Sequence, residues 1–150
     1  MIDPSISSDR VNEIINHPSI YPWICGPLTG PIDISPYLKS GDYTALFGEY
    51  GGFLFFRVKD GIYDAHSAVL PNGRGKWALR MAREALKIMF DKDAAEIMMA
   101  APNGNLAVLS LIRRLKAKFR GSIDNGWWMD GHPVDADIYS LTKMDWEKCQ

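Results

Sequence analysis

The chain has 150 residues, of which 47% are hydrophobic, and this size and composition predict one compact domain with a buried core. Its 17 basic and 18 acidic side chains nearly cancel, which excludes the global electrostatic field that draws proteins to nucleic acids or anionic membranes. No apolar stretch reaches the roughly 20 residues that span a bilayer, and the start lacks the layout of a signal peptide, so we expect a protein made in a cytoplasm.

The first 43 residues predict a short helix followed by a structured loop. Val11, Ile14 and Ile15 recur at helical spacing ahead of Pro18, which predicts the helix. Proline and glycine are dense over residues 19–41, so we expect no long element there, although PIDISPYL can hold one helical turn. The aromatic residues of this loop indicate that it packs against another part of the protein.

Residues 44–70 predict three antiparallel strands, over 44–49, 52–59 and 62–70, because runs rich in aromatic and β-branched residues are broken only by short glycine turns. An amphipathic helix follows, from about residue 76 to 90. AAEIMMAAP is a short, fully apolar run, which is typical of a buried strand. The intervening helix predicts that this strand runs parallel to the one before it, as in a βαβ unit.

The last third of the chain predicts a second helix and two strands. NGNLAVLSLIRRLKAKF places Leu106, Leu109, Ile112 and Leu115 inward. FRGSI and DADIYSLTKMDW predict strands that are separated by the loop DNGWWMDGHP. The whole pattern predicts a mixed α/β or α+β fold with a twisted central sheet flanked by helices. We expect a single domain, with an N-terminal helical and loop region over 1–43 and a sheet and helix core over 44–150.

Neither the cysteines nor the histidines are spaced as metal ligands or redox pairs are. Cys25 and Cys149 lie near opposite ends of the chain, and the three histidines, His17, His66 and His132, are widely spread. Zinc sites and redox motifs place ligands or thiols a few residues apart. We therefore predict no metal site and, in a reducing compartment, no structural disulfide.

Two motifs in this order resemble the GCN5-related N-acetyltransferase (GNAT) superfamily. In that family a strand ending in hydrophobic-x-Pro leads into Arg-Gly-x-Gly-x-Gly or Ala and then a helix; the stretch here is VLPNGRGKWA, residues 69–78. The second hallmark is an Asn at the start of the next helix, a basic helix end and a Gly-containing strand, which PNGNLAVLSLIRRLKAKFRGSI resembles. The resemblance covers residues 44–146, lacks the usual opening strand, and implies the GNAT acyl-CoA N-acyltransferase fold.

The resemblance also implies an acetyl-CoA site where the first long helix begins. Unpaired N–H groups and the helix dipole favour a pyrophosphate at such a place. Val69 matches the residue whose backbone N–H holds the acetyl carbonyl, and Asn105 could contact the cofactor or only cap its helix. The positions matching the family's cofactor site are Val69, Gly73, Arg74, Gly75, Lys76, Trp77, Ala78 and Asn105.

Trp77 departs from the family pattern. With Pro71 as the anchor, Arg74 and Gly75 match the family's Arg-Gly, but Trp77 falls where the next glycine belongs. Sliding the pattern by two residues leaves Asn72 in place of the arginine. A tryptophan in the first turn could block the phosphates, or it could turn aside into the core. The loop is therefore either a phosphate cradle or a tight turn.

His66 is the candidate general base, and Asp64 lies two residues earlier on the same face of the strand. A histidine beside a carboxylate suits proton removal from an amine near neutral pH. The alternative is a sheet histidine satisfied by hydrogen bonds. The resemblance implies a tyrosine acid in the second helix, but none occurs there. Tyr139 lies on the final strand and Ser110 is a poor acid, so this role is unassigned.

Two further clusters could serve a partner. Five basic residues between Arg113 and Arg120 could meet phosphate or nucleic acid, or they could form a solvated helix end. Trp127, Trp128 and Met129 could line a substrate cleft or a protein interface, or fold back onto the core.

Four stretches, NHPSIYPWI, GGFLFF, DAHSAVLPNGRGKWAL and DADIYSLTKMDW, resemble acetyltransferase-like proteins of phages and prophages, most of unknown activity. We therefore expect an acetyl-CoA-dependent N-acetyltransferase in the cytoplasm of the host bacterial cell, with a protein amine or a small molecule as its acceptor. The alternative is a non-catalytic phage protein of this fold, in the virion or bound to another protein through its Trp-rich loops. A nucleic-acid modifier is a weaker hypothesis, and self-association is left open.

Overall fold

The computed structural model describes residues 1–149. Its α-helices are α1 (Ser8–Ile15), α2 (Tyr21–Ile24), α3 (Ser35–Ser40), α4 (Lys76–Lys92), α5 (Leu106–Arg114) and α6 (Lys143–Lys148). Its strands are β1 (Tyr43–Gly48), β2 (Gly51–Lys59), β3 (Ile62–Val69), β4 (Glu96–Pro102), β5 (Lys118–Met129) and β6 (His132–Thr142). A short 3-10 turn, Pro71–Gly73, precedes α4. Within residues 1–149, no helix is both long enough and apolar enough to cross a membrane.

The strands form one twisted mixed sheet in the order β1-β2-β3-β4-β6-β5. All neighbouring pairs are antiparallel except β3 and β4, which are parallel and joined by α4. This arrangement confirms the predicted mixed α/β fold, the antiparallel meander and the βαβ unit. The predicted bounds of the first three strands and of α4 agree with the structure to within two residues.

Side-chain alternation along the strands gives the sheet two faces with separate cores. On one, called here the α4 face, the apolar stripe of α4 packs with α5 on the centre of the sheet, and Met81, Leu86 and Met89 are fully buried. On the other, called here the α1 face, α1 and α3 cover the first three strands with Ile14 and Phe47 at the centre.

The structure corrects the predicted second helix. It ends at Arg114 rather than continuing to residue 119, because the backbone at Lys116 adopts a left-handed conformation with φ of 61°. Leu106, predicted to point inward, is 74% exposed, while Ile112 and Leu115 are buried as predicted. The helical spacing was right for the second half of the helix and wrong for its first turn.

The structure also corrects the Trp-rich segment, which was predicted as a loop. Trp127 and Trp128 belong to β5 and pair with Val134 and Pro133 of β6. The two strands form a long hairpin whose register shifts between Ile123 and Trp127. KMDW, predicted as the end of the final strand, begins α6 instead.

Candidate active site

The parallel pair at the centre of the sheet separates before either strand ends. β3 and β4 pair as far as Ala65 and Met99 and no further. Beyond that point β3 continues on β2 to Val69, and β4 continues on β6 to Pro102. A narrow cavity of about 70 Å³ lies between the separated ends, and its lining includes side chains from both faces of the sheet. The sheet is therefore open at its centre.

Backbone donors of β3 point into this gap. The Leu70 N–H donates to the Tyr50 carbonyl at 2.8 Å, on the β2 side. Successive N–H groups of a strand point to opposite edges, so the N–H groups of Ser67 and Val69 point toward β4, which has already separated. The N–H groups of Ser67 and Val69 therefore point toward any ligand that binds in the gap.

The glycine-rich loop after β3 uses its first amides internally. The Gly73 N–H donates to the Leu70 carbonyl at 2.9 Å, and the Arg74 N–H donates to the Pro71 carbonyl at 3.3 Å. Both bonds belong to the 3-10 turn that reverses the chain after β3. The backbone of Gly73 and Arg74 thus shapes the loop and has no donor left for a ligand.

The next amides are unpaired. Gly75 precedes α4 with φ of 93°, and no side chain caps the helix. The first bond of the helix runs from the Leu79 N–H to the Gly75 carbonyl at 3.1 Å. Within the described residues, the N–H groups of Gly75, Lys76, Trp77 and Ala78 have no acceptor. Together with the dipole of a 17-residue helix, they form a site that favours an anion.

A larger cleft of about 610 Å³ connects these amides with the gap in the sheet. Gly75 and Ala78 line it from α4, and Asn105 and Val108 line it from the start of α5. Arg74 and Arg114 are its charged lining residues, and no carboxylate lines it. The charge of this cleft suits a ligand with negatively charged groups.

Trp77 lies outside the cleft. Its ring packs edge to face on Tyr50, with the ring centroids 5.2 Å apart. Gly73 makes room for this pair, because a Cβ atom at Gly73 would lie 2.5 Å from the Tyr50 Cβ and 2.8 Å from the Trp77 ring. Of the two orientations left open by the sequence, the side chain takes the one that turns aside.

Asn105 caps its helix, which is one of the two alternatives given for it. Its side-chain oxygen accepts from the Val108 N–H at 3.2 Å and so caps α5. The residue also lines both the cleft and the gap. Its amide group is therefore fixed in place at the junction of the two cavities.

His66 lies on β3 just beyond the last pair with β4, and its side chain is on the α1 face with Asp64. It lines the gap, and its ring is 5.5 Å from that of Trp127. Within residues 1–149 the imidazole has no hydrogen-bond partner, which differs from the alternative of a satisfied sheet histidine. Burial lowers the pKa of His66, and the Asp64 carboxylate opposes this shift. The imidazole is therefore neutral at neutral pH and able to accept a proton.

Neither Ser110 nor Tyr139, the two residues considered as the general acid, lines the gap between β3 and β4. Ser110 lines the larger cleft between α4 and α5. Tyr139 is buried on the α4 face, where its ring packs on Phe119 with the centroids 5.5 Å apart. Tyr139 lines neither the gap nor the cleft.

Three residues outside the predicted cofactor and base positions line the site, and Trp127 belongs to the cluster for which a substrate cleft was one alternative. Ser67 lines the gap and the cleft, Trp23 of α2 covers both, and Trp127 lines the gap. The Trp127 Nε1–H donates to the Trp23 carbonyl at 2.7 Å, which ties the β5–β6 hairpin to α2. The two-residue period of β3 was enough to place Ser67 beside Val69. The tryptophan contact joins distant parts of the chain and left no signal in the sequence.

The predicted basic cluster is divided by the fold. Lys118 pairs with Asp145 at 3.1 Å, and the Arg120 Nε–H donates to the Ser140 hydroxyl at 2.7 Å. Arg114 alone among the five lines the cleft. Within residues 1–149, no group of three or more His, Cys, Asp or Glu side chains is placed to bind a metal ion.

Several solved structures of acetyltransferases and probable acetyltransferases are similar to this chain. A spermidine N-acetyltransferase from Vibrio cholerae, in complex with CoA and spermine, matches with a TM-score of 0.78 over 98% of this chain and 97% of its own, at 11% identity. A probable acetyltransferase of the GNAT family from Chromobacterium violaceum gives 0.75 over 97% and 88%, at 15% identity. A ribosomal-protein-S5-alanine acetyltransferase from Vibrio fischeri gives 0.72 over 94% and 92%, at 15% identity.

Neither a protein-family model nor a curated protein matches the sequence significantly. The structural matches confirm the GNAT fold that the two motifs imply.

Proposed function

We propose that this protein is an N-acetyltransferase that moves an acyl group from acetyl-CoA to an amine. The observation that carries the proposal is the gap between β3 and β4, which has unpaired amides of α4 at one mouth and His66 at the other. The reaction forms a C–N bond and breaks a C–S bond, while one proton moves from nitrogen to sulfur. It therefore needs an anion site, a carbonyl donor and a base.

The α4 side of the cleft fits CoA. The N–H groups of residues 75–78 would hold the pyrophosphate, with the side chains of Arg74 and Arg114 as counter-charges. The Val69 N–H would donate to the acyl carbonyl, and Asn105 would border the chain that leads to it. When bound, acetyl-CoA supplies an acyl group activated as a thioester.

His66 would take the proton of the amine, directly or through water. Its neutral imidazole has unused hydrogen-bonding capacity and lines the gap. The Asp64 carboxylate on the same face would stabilise the imidazolium that forms. We leave the proton donor for the CoA sulfur unassigned, because Ser110 is a poor acid and Tyr139 lies outside the gap.

The test is release of free CoA thiol from acetyl-CoA in the presence of primary amines. For His66→Gln we expect kcat to fall about 10²- to 10⁴-fold with little change in the KM for acetyl-CoA, as for loss of a general base. His132→Gln is the matched control, since His132 is exposed at the start of β6. An unchanged kcat in His66→Gln would remove His66 from this role.

A non-catalytic role on the same fold, as a virion component or a protein-binding protein, remains the second hypothesis. The non-catalytic hypothesis had the Trp77 side chain fill the proposed CoA site, but the Trp77 ring packs on Tyr50 instead. The phage or prophage origin rests on the sequence resemblance alone and stays a prediction. The weaker hypothesis of a nucleic-acid modifier stays a prediction, although two of its five basic residues, Lys118 and Arg120, have carboxylate and hydroxyl partners.

A further inference from the structure

A third cavity, of about 390 Å³, lies on the α1 face of the sheet, opposite the α4 amides. His66 lines both this cavity and the gap, and so do Trp23, Ile24 and Trp127. We call it the aromatic pocket. A molecule seated in it reaches the imidazole from the side away from the proposed CoA site.

Ring-bearing and aliphatic side chains form the walls of the aromatic pocket. Trp23 comes from α2, Tyr37 from α3 and Tyr43 from β1. Trp127 and Trp128 close it from the β5–β6 hairpin. Aromatic faces attract an organic ammonium through their quadrupoles and also bury apolar groups. The walls therefore suit a ligand that combines one ammonium with an apolar body.

Charges are scarce around the aromatic pocket. No Asp, Glu, Lys or Arg is among its lining residues. Asp64 lies on the same face, in register with Tyr43 through Phe56 of β2. Burial chiefly raises the pKa of Tyr43, and Asp64 adds to this shift. One carboxylate can balance one ammonium, but a second and third positive charge would be desolvated among rings without a partner. This argues against a polyamine or a basic peptide segment as the occupant.

The walls are held by bonds between distant segments. Besides the Trp127 bond to the Trp23 carbonyl, the Asp130 N–H donates to the Pro22 carbonyl at 2.8 Å. These two bonds fix α2 to the β5–β6 hairpin. The rings are thus positioned before any ligand arrives, which lowers the entropic cost of binding.

We infer that the aromatic pocket binds a primary amine with a single positive charge, carried on a compact apolar or ring-bearing group. The assignment of this amine as the acceptor in the reaction rests on the proposed function. The amine nitrogen lies toward His66, and the apolar body lies among the rings of Trp128 and Tyr37.

The experiment compares 2-phenylethylamine with spermidine on the whole protein without acetyl-CoA, by calorimetry and by tryptophan fluorescence. We expect 2-phenylethylamine to bind about tenfold or more tightly than spermidine, because only one charge is desolvated. Trp128→Ala should weaken its binding about fivefold through loss of an apolar contact with the ring of Trp128. Tyr37→Ala, on the opposite wall, should have the same direction of effect.

Phe119→Ala is the matched control for loss of an exposed ring. Phe119 lies on the same strand as Trp128, is 57% exposed and lines none of these cavities. Tighter binding of spermidine, failure of both amines to bind, or equal binding by wild type and both wall variants would overturn the inference.

Turnover separates this inference from the proposed function. Selective binding of 2-phenylethylamine without its acetylation would support the pocket and contradict the N-acetyltransferase proposal. Preferential acetylation of spermidine would support the acetyltransferase and overturn the inference about its acceptor.

Discussion

His66 and Asp64 oppose each other's response to burial. Desolvation lowers the pKa of the imidazole, and the nearby carboxylate limits that shift. Burial raises the pKa of Asp64, and the imidazole limits that shift in turn. Each residue therefore favours the charged form of the other, while the protein around them favours both neutral forms. At neutral pH the balance leaves His66 as an unprotonated base.

This balance predicts the pH dependence of the rate. Because the pKa of His66 lies below its ordinary value of about 6.5, kcat/KM should rise with pH through a midpoint below about 6.5 and then level off. Asp64→Asn removes the charge that raises this pKa, so its midpoint should move to lower pH. Rate profiles of the two proteins between about pH 4 and 8 measure this difference. A midpoint that moves to higher pH in Asp64→Asn would contradict the account.

Gly73 and Trp77 show why single residues were hard to assign from sequence. The motif identified the loop, but it could not give the direction of the Trp77 ring. That direction depends on Tyr50, which lies in the turn between β1 and β2 and meets the loop only in the folded protein. Gly73 was predicted as part of the cofactor site; it is buried, and a Cβ atom there would collide with these two rings. The site hypothesis now rests on the amides from Gly75 onward.

At the scale of elements, local pattern predicted what local physics determines. The meander, α4 and the buried strand β4 follow from alternation, helical spacing and apolar composition, and their predictions were confirmed. The end of α5 was missed, because the apolar spacing runs on past the left-handed residue Lys116. Strands were predicted near β5 and β6, but the extension of β5 through Trp127 and Trp128 was missed. The glycines and the register shift of this segment imitate a loop, whereas pairing with β6 makes it a strand.

The last turn of α5 offers a matched pair of arginines. Arg114 lines the proposed CoA cleft, and the adjacent Arg113 does not. Arg114→Ala should raise the Kd for acetyl-CoA about fivefold, the size expected for an exposed charge pair of about 1 kcal/mol. Arg113→Ala should leave the Kd within about twofold, as measured by calorimetry at one salt concentration. Equal effects of both substitutions would show that Arg114 acts only through net charge.

Across the whole molecule, the two cores leave the centre of the sheet open. Both faces of the sheet have a packed core, yet β3 and β4 separate beyond Ala65 and Met99. Trp23 lines the gap, the larger cleft and the aromatic pocket. The α4 amides lie on one side of the gap, and the aromatic pocket lies on the other. The sequence predicted that β3 and β4 would pair, but where they separate depends on their outer neighbours, β2 and β6.

The account depends most directly on whether the cleft binds acetyl-CoA. Gly75→Glu would place a carboxylate beside the unpaired amides, while Gly41→Glu is a matched control. Both glycines have positive φ, of 93° and 81°, and open space where a side chain would project, but Gly41 lies after α3 and outside the cleft. Backbone strain and added charge are thus common to both variants.

Isothermal titration of acetyl-CoA into the wild type and these two variants is the decisive measurement. We predict micromolar binding to the wild type and to Gly41→Glu, and loss of binding in Gly75→Glu at unchanged circular dichroism. A wild-type protein that binds no acetyl-CoA at millimolar concentration would contradict the central claim.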